Sequence, residues 1–570
     1  MSRLRPRSSA ALFLRLTATF GLLRGAAMGQ LFVSSTGVPN QPPDQNQHLR
    51  KVTGMVVNAA TGAGIAKALV QGPTMTGQVS VLTGADGHFE IDDVPDGAVN
   101  LMPRKPGYFN EQELDQGGAA GPHMIQIGES TPDIVLKLFP EGVIEGRVLD
   151  EAGEPIEGAS LQALVSQVRE GRRRWEPNGS WSTDDTGTFR LANLRPGQYL
   201  LFVNAGGSHG RKPGQNFDLV FAPAFYPGAA TQSEAAPISI SAGQHAQADF
   251  SLKRQPGYLV TGVVTNLPQG QGAGIYVRPV GAVNNANMLS GTGSKPNGEF
   301  RLGPLPEGDY VLALQAQNGN EALWQEIPLT IGHADVTNLQ LALEQPYEIP
   351  VQLTVTRTKT AGQSGDTGPS YVVVNGPVSG RHMPQGPQLG NISFKSDDGS
   401  LQQFVALQEP ADQQAEPLVV KGLRPGTYHI NSWGNGTFYV ESARCGGTDL
   451  LDAPLVVHSG SAPPPIQITL RDDVANLTVN CAKDGKQQNC AVILAPAHGE
   501  PRLFYGWAVT SGLAPGDYRA YAFDNAADLE YANPEAMRDY LSKGQAFTLE
   551  PNDQKTITVE VIHRDALGLE

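Results

Sequence analysis

Residues 183–200 read TDDTGTFRLANLRPGQYL, and close copies stand at 83–101 (TGADGHFEIDDVPDGAVNL) and 294–312 (SKPNGEFRLGPLPEGDYVL). The second half returns twice more, as VKGLRPGTYHI at 420–430 and TSGLAPGDYRAY at 510–521. In 183–200 an Asp-Thr-Gly turn precedes Phe189 and Leu191 at period two, a Pro196-Gly197 turn follows, and Tyr199 and Leu201 resume period two. Gly supplies positive φ, Pro fixes φ at the first corner, and alternation marks half-buried strands. The phrase predicts a β-hairpin with one apolar face.

Each copy has an opening strand upstream, VTGMVV from Val52, IEGRVL from Ile144, VTGVVT from Val260 and, more loosely, NLTVNC from Asn476; the first three share a central Gly. Closing strands follow as DIVLKL from Asp133, ADFSLK from Ala248, NLQLAL from Asn338, IQITL from Ile466 and TITVEV from Thr556. The second Gly of each turn (Gly97, Gly197, Gly308, Gly426, Gly516) recurs at intervals of 100, 111, 118 and 90 residues. That is the size of a whole β-sandwich and too long for a solenoid unit. The expected fold is all-β, a tandem array of about five antiparallel β-sandwiches of immunoglobulin-like or prealbumin-like type. The domains run 51–140, 141–255, 256–345, 346–471 and 472–570, the last with a short helix over 533–544, where Asn533 caps and Pro534 fits the first turn.

The 66 Gly and 43 Pro in 570 residues, with 17% charged and 40% hydrophobic residues, suit many short strands and turns. A net charge of -15 argues against nucleic acid as a partner, since phosphate recognition needs excess Lys and Arg. The basic cluster Arg172-Arg173-Arg174 reads as a solvated loop tip. Residues 105–130, 165–180, 206–236 and 357–389 read as loop insertions, where recognition usually resides.

At the N-terminus Arg3, Arg5 and Arg7 precede a mostly apolar run over 10–23 and then Ala27-Met28-Gly29, which resembles a signal peptide, residues 1–29, cleaved near Gln30. An Arg-rich, acid-free start also suits organellar import, but export to the periplasm, cell surface or medium is the reading taken. Residues 30–50 are then a linker. No later run reaches the roughly 20 apolar residues of a membrane helix, so no membrane span is expected in the mature chain. Of three cysteines, Cys481 ends an opening strand and Cys490 begins the next apolar run, across the polar turn KDGKQQN. A disulfide between them is expected in an exported chain, with Cys445 free; three reduced thiols are the alternative if the chain is not exported.

No HExxH, GxSxG or GxxxxGK[ST] occurs, and no pair of carboxylates is singled out by spacing, so neither an enzyme nor a cofactor or metal is expected. The acidic doublets Asp92-Asp93, Asp184-Asp185, Asp397-Asp398 and Asp472-Asp473 could hold calcium, but Asp beside a turn more often bonds local backbone. Sugars dock on exposed aromatic faces. Trp175 and Trp181 in RRRWEPNGSW, with Tyr226 in the next insertion beside Phe221 and Phe225, are the binding candidates.

The pattern VxGxV, then GEPIEGASLQA at 153–163, then TDDTGTFRLANLRPGQY resembles the carboxypeptidase regulatory-like domain, a transthyretin-like sandwich grouped with starch-binding-like folds. Domains one to three carry the pattern well. The fourth has lost the Asp-Gly-Phe turn, while 442–451 and 513–523 resemble segments of multi-repeat secreted bacterial members. The resemblance implies a non-catalytic module and, through starch-binding relatives, a polysaccharide or cell-surface glycan as ligand. The expected function is that of a secreted, non-enzymatic, carbohydrate-binding multidomain chain; the alternative is a structural spacer or adhesion scaffold with protein partners.

Overall fold

The computed structural model describes residues 48–564 apart from 76, 115–123, 130, 207–217, 281–287, 320, 359–387, 398, 400, 409–417, 435, 489 and 506–507. The leader and its cleavage position at Gln30, Trp507, Asp398 and most of the 357–389 insertion lie outside the described residues.

Five apolar cores follow one another along the chain, spanning 52–138, 144–252, 258–343, 349–470 and 475–561. Alternating side chains from two sheets fill each. The opening strands are Leu49–Asn58, Gly142–Asp150, Arg254–Thr265, Tyr347–Thr356 and Ala475–Lys483. Each lies parallel to the closing strand of its own repeat and antiparallel to the strand before the Pro-Gly turn. So each otherwise antiparallel sandwich contains this parallel pairing, and the fifth adds a second where its closing strand runs parallel to the end of Gly516–Phe523. Parallel neighbours need a long crossover, and here the whole repeat is that crossover.

The expected hairpin is not one. Thr188–Leu194 pairs with the opening strand, whereas Gly197–Asn204 pairs with Ser160–Arg169 in the other sheet. The same division holds in every repeat: the strands flanking the turn never pair with each other. In the fifth, the closing strand Gln554–Ile562 also reaches Ala522 and Phe523, stitching the two sheets together. The Pro-Gly turn is a corner that carries the chain between sheets.

Two devices build that corner. Before it, every repeat has a one-residue bulge against the opening strand. A left-handed residue occupies the bulge: Asp93, Asn193, Gly303, Gly422 or Gly512, with φ of 59°, 60°, 95°, 81° and 78°. Gly and Asn or Asp are the residues that tolerate this region. After the corner, a Tyr hydroxyl donates back to a carbonyl four residues upstream: Tyr199 to Arg195 (2.8 Å), Tyr310 to Pro306 (2.9 Å), Tyr428 to Arg424 (2.9 Å) and Tyr518 to Ala514 (2.7 Å). These are tyrosine corners. The first repeat has buried Val99 in that place.

The central Gly of the first three opening strands has a steric cause. A Cβ on Gly54, Gly146 or Gly262 would lie 2.3, 2.0 or 2.1 Å from the carbonyl oxygen of Ile134, Ala248 or Leu339 on the closing strand. There the parallel pairing begins at Gly54, breaks after Glu145 or shifts before Gly262. In sandwiches four and five the register is continuous and Val351 and Val479 stand in the same place. Phe89, Phe189 and Phe300, which face the three glycines, are replaced by Leu418 and Ala508.

The helix expected over 533–544 is shorter. Asn533 caps Pro534–Met537 by accepting from Glu535 N–H, and a 3-10 turn, Arg538–Tyr540, follows. Met537 is buried and Tyr540 meets Phe523 edge-on at 5.1 Å, while Leu541 is 52% exposed. Inward residues spaced by three suit a 3-10 turn better than continued α-helix.

Candidate functional site

The aromatic candidates belong to the second sandwich. Its 165–180 segment is not a loop: Ser160–Arg169 and Arg172–Ser182 form a long antiparallel hairpin. Glu170 and Gly171, at φ 51° and 75°, make the two-residue turn, the positive-φ pair that suits the right-handed twist of a hairpin. The Glu-Gly dipeptide between two strand-like runs was the sequence signal for it.

A bulge divides this hairpin. Ala163 pairs with Gly179 but Leu164 with Pro177, which leaves Asn178 over. Trp175 and Trp181, six residues apart, would share a face of a regular strand. One extra residue between them reverses the alternation. Trp181 stands opposite Leu161 and packs on the core between the sheets. Trp175 stands opposite Ser166 and packs on Leu164, Leu200, Phe202 and Phe225, the outer face of the same sheet, together with Leu289 of sandwich three. Tyr226 lies edge-on to Phe250 at 5.7 Å and packs on the core near Trp181. The structure therefore brings Tyr226 and Trp181 to one core and sets Trp175 apart; all three rings are half-buried.

The basic cluster is not a solvated tip either. Arg172 Nη2 donates to Glu500 Oε1 at 2.6 Å, and Arg173 Nε to Glu530 Oε1 at 2.7 Å, both acceptors on sandwich five. Arg173 also reaches the Asp528 carbonyl at 3.2 Å. On sandwich four, Lys395 Nζ donates to Glu170 at 2.8 Å. Burial raises the Glu530 carboxyl, but hydrogen bonds from Arg173 and Asn533 outweigh it and hold the group below the ordinary carboxylate range. None of Lys395, Glu500 or Glu530 was marked by local sequence.

Of the acidic doublets, Asp184 and Asp473 bond locally, whereas Asp397 and Asp472 bond residues distant in the chain. Asp184 accepts from the Thr186 hydroxyl and from the backbone N–H of Thr186 and Thr188, which depresses its carboxyl pKa. Asp473 pairs with Arg471, and Asp472 accepts from Thr358. Among the described residues no group of three or more His, Cys, Asp or Glu is placed to hold a metal ion, and no helix is long and apolar enough to cross a membrane. Cys481 and Cys490 are joined with their Cα atoms 6.2 Å apart, and Cys445 is a buried thiol that burial pushes up in pKa.

Residues 143–253, the sandwich that carries these aromatics, match the model of the carboxypeptidase regulatory-like domain. The family recognised in the sequence is thus present as a domain of this chain. Among solved structures, a streptococcal ancillary pilin is similar at 14% identity over 52% of this chain and 99% of its own, with a TM-score of 0.17. The TIE protein of Bacillus anthracis is similar at 11% over 76% of each chain, TM-score 0.16. The minor pilin GBS52 of Streptococcus agalactiae is similar at 15% over 36% of this chain and 97% of its own, TM-score 0.20. No curated protein matches the chain.

Proposed function

We propose that this chain is an exported, non-enzymatic scaffold of β-sandwiches that meets protein partners at a cell surface, in preference to a carbohydrate binder. The mature chain then begins near Gln30, with the sandwiches bounded at 51–140, 141–255, 256–345, 346–471 and 472–570. The observation that supports the scaffold is the use made of the aromatics. The bulge at Asn178 splits Trp175 from Trp181, and each ring is engaged in the packing of its own sandwich. A sugar platform needs free aromatic faces side by side. The carboxypeptidase regulatory-like match is to a module without catalytic machinery of its own, which agrees with the same reading.

A glycan array probed with the mature chain, beside the single variants Trp175→Ala, Trp181→Ala and Tyr226→Ala, tests the choice. The expected result is no glycan retained by the parent, with Trp181→Ala and Tyr226→Ala melting lower. A glycan held by the parent and lost in Trp175→Ala at unchanged melting temperature would return the function to carbohydrate binding.

A further inference from the structure

We propose that sandwiches four and five together form a charge-complementary receptor for the tip of the second sandwich's hairpin, and that this contact is an electrostatic latch which ionic strength opens. The tip residues 170–173 touch both sandwiches at once. Arg172 and Arg173 carry the cations to Glu500 and Glu530, while Glu170 accepts from Lys395. Glu500 is shared: His429 of sandwich four has Nδ1 at 3.7 Å from it and Nε2 at 2.6 Å from Asp397. Three sandwiches thereby meet on one carboxylate.

Shape reinforces charge. The Gly171 carbonyl accepts from Ala532 N–H at 3.1 Å, a backbone bond between sandwiches two and five. A Cβ on Gly171 would come within 2.5 Å of the Ala532 nitrogen and 2.6 Å of the Tyr531 ring. Burial, then the nearby carboxylates of Glu170 and Glu500, push the Tyr531 phenol up to about 12, as a ring enclosed in this junction requires. The contact joins residues more than 200 apart in sequence: Glu170 and Lys395 are separated by 225, Arg172 and Glu500 by 328. The paired side chains remain 25–57% exposed, apart from Lys395 at 19%. Salt reaches such pairs: the screening length falls from about 8 Å at physiological ionic strength to about 3 Å at 1 M.

The tip is a run of trypsin sites, Arg169, Arg172, Arg173 and Arg174, so limited trypsinolysis of the full chain reads the latch directly. Cleavage within 169–174 is followed by mass spectrometry and normalised to a small peptide substrate measured in the same salt. Opening by local fluctuation exposes backbone that docking protects, so the expected acceleration is about tenfold or more from low salt to about 1 M. The same acceleration is expected at low salt in Glu500→Gln/Glu530→Gln and in Gly171→Ala. Arg173→Glu should open the latch and Arg173→Glu/Glu530→Arg should close it again, a rescue that a general folding defect would not give. Equal cleavage of the tip in all of these proteins, or failure of the reversed pair to restore protection, would overturn the proposal.

Discussion

At the scale of single residues, the corner tyrosines do the most. Each hydroxyl satisfies a carbonyl left over where the chain leaves one sheet for the other, and at Tyr310 that bond is buried. Tyr310 is 5% exposed. Tyr310→Phe keeps the ring and removes the bond, so the third sandwich should lose about 1 kcal/mol, the net worth of a typical buried hydrogen bond, seen as a lower urea midpoint at unchanged slope. Burial pushes the Tyr199 phenol up to about 12, against the opposing effect of its bond to Arg195. A folded pKa above the unfolded one, near 10, means the unfolded chain releases its proton first. Stability from this group is therefore complete below about pH 10 and declines as pH rises towards 12. Ultraviolet titration should show Tyr199 ionising later than in Tyr199-containing peptides. Titration together with the exposed tyrosines would refute its burial.

At the scale of elements, the opening and closing strands set what each position tolerates. Gly146→Ala drives a methyl into the Ala248 carbonyl, and backbone cannot swing aside as a side chain can. The second sandwich should be destabilised by more than about 2 kcal/mol, in the range of overpacked or strained core positions. A near-neutral melting temperature for this variant would show that the closing strand yields. The bond between Cys481 and Cys490 closes a short loop at the end of the fifth opening strand. Reduction should cost the fifth sandwich about 2 to 3 kcal/mol by the loop-entropy argument, detectable as a lower unfolding midpoint in the presence of reductant. Cys445, in the fourth, leaves that sandwich unaffected by the same treatment.

At the scale of the described molecule, consecutive sandwiches are joined by more than chain continuity. The insertion of the second sandwich contributes Asp218–Phe221 to the sheet of the third, pairing with Arg254, Gln255, Pro256 and Gly257. Arg254 in turn donates to Asp150 at 2.8 Å and Glu151 at 3.3 Å and lies over the Phe221 ring at 4.9 Å. Backbone bonds from Glu154 and Ala152, with Arg254, hold the Asp150 carboxyl below its ordinary range. Its contribution is present at neutral pH and is lost only as acid carries the group through that lowered pKa. Arg254→Ala should uncouple the two sandwiches, so that calorimetry resolves separate transitions for them where the parent shows one. A single unchanged transition would place the coupling in the shared strand alone.

The sequence by itself determined the number of repeats, their all-β character and the place of the opening, closing and turn-flanking strands, because period-two alternation and turn chemistry are local; the strands Arg172–Ser182 and Asp218–Phe221 were read as loop. Phe189, Leu191, Tyr199 and Leu201 could be read as inward-facing, and all four are buried. The glycines at 54, 146 and 262 were visible as a shared feature, but not their cause, which is a carbonyl about 80 to 100 residues further along the chain. Which sheet a strand joins depends on partners distant in sequence, so the phrase around Pro196-Gly197 looked like a hairpin and is a corner between sheets. One unpaired residue, Asn178, carries no local mark, yet it sends Trp175 and Trp181 to opposite faces. The tip over 172–174 is basic and turn-bounded in sequence; only the tertiary fold brings Glu500 and Glu530 to it, since attraction between charges depends on distance in space and is independent of distance along the chain.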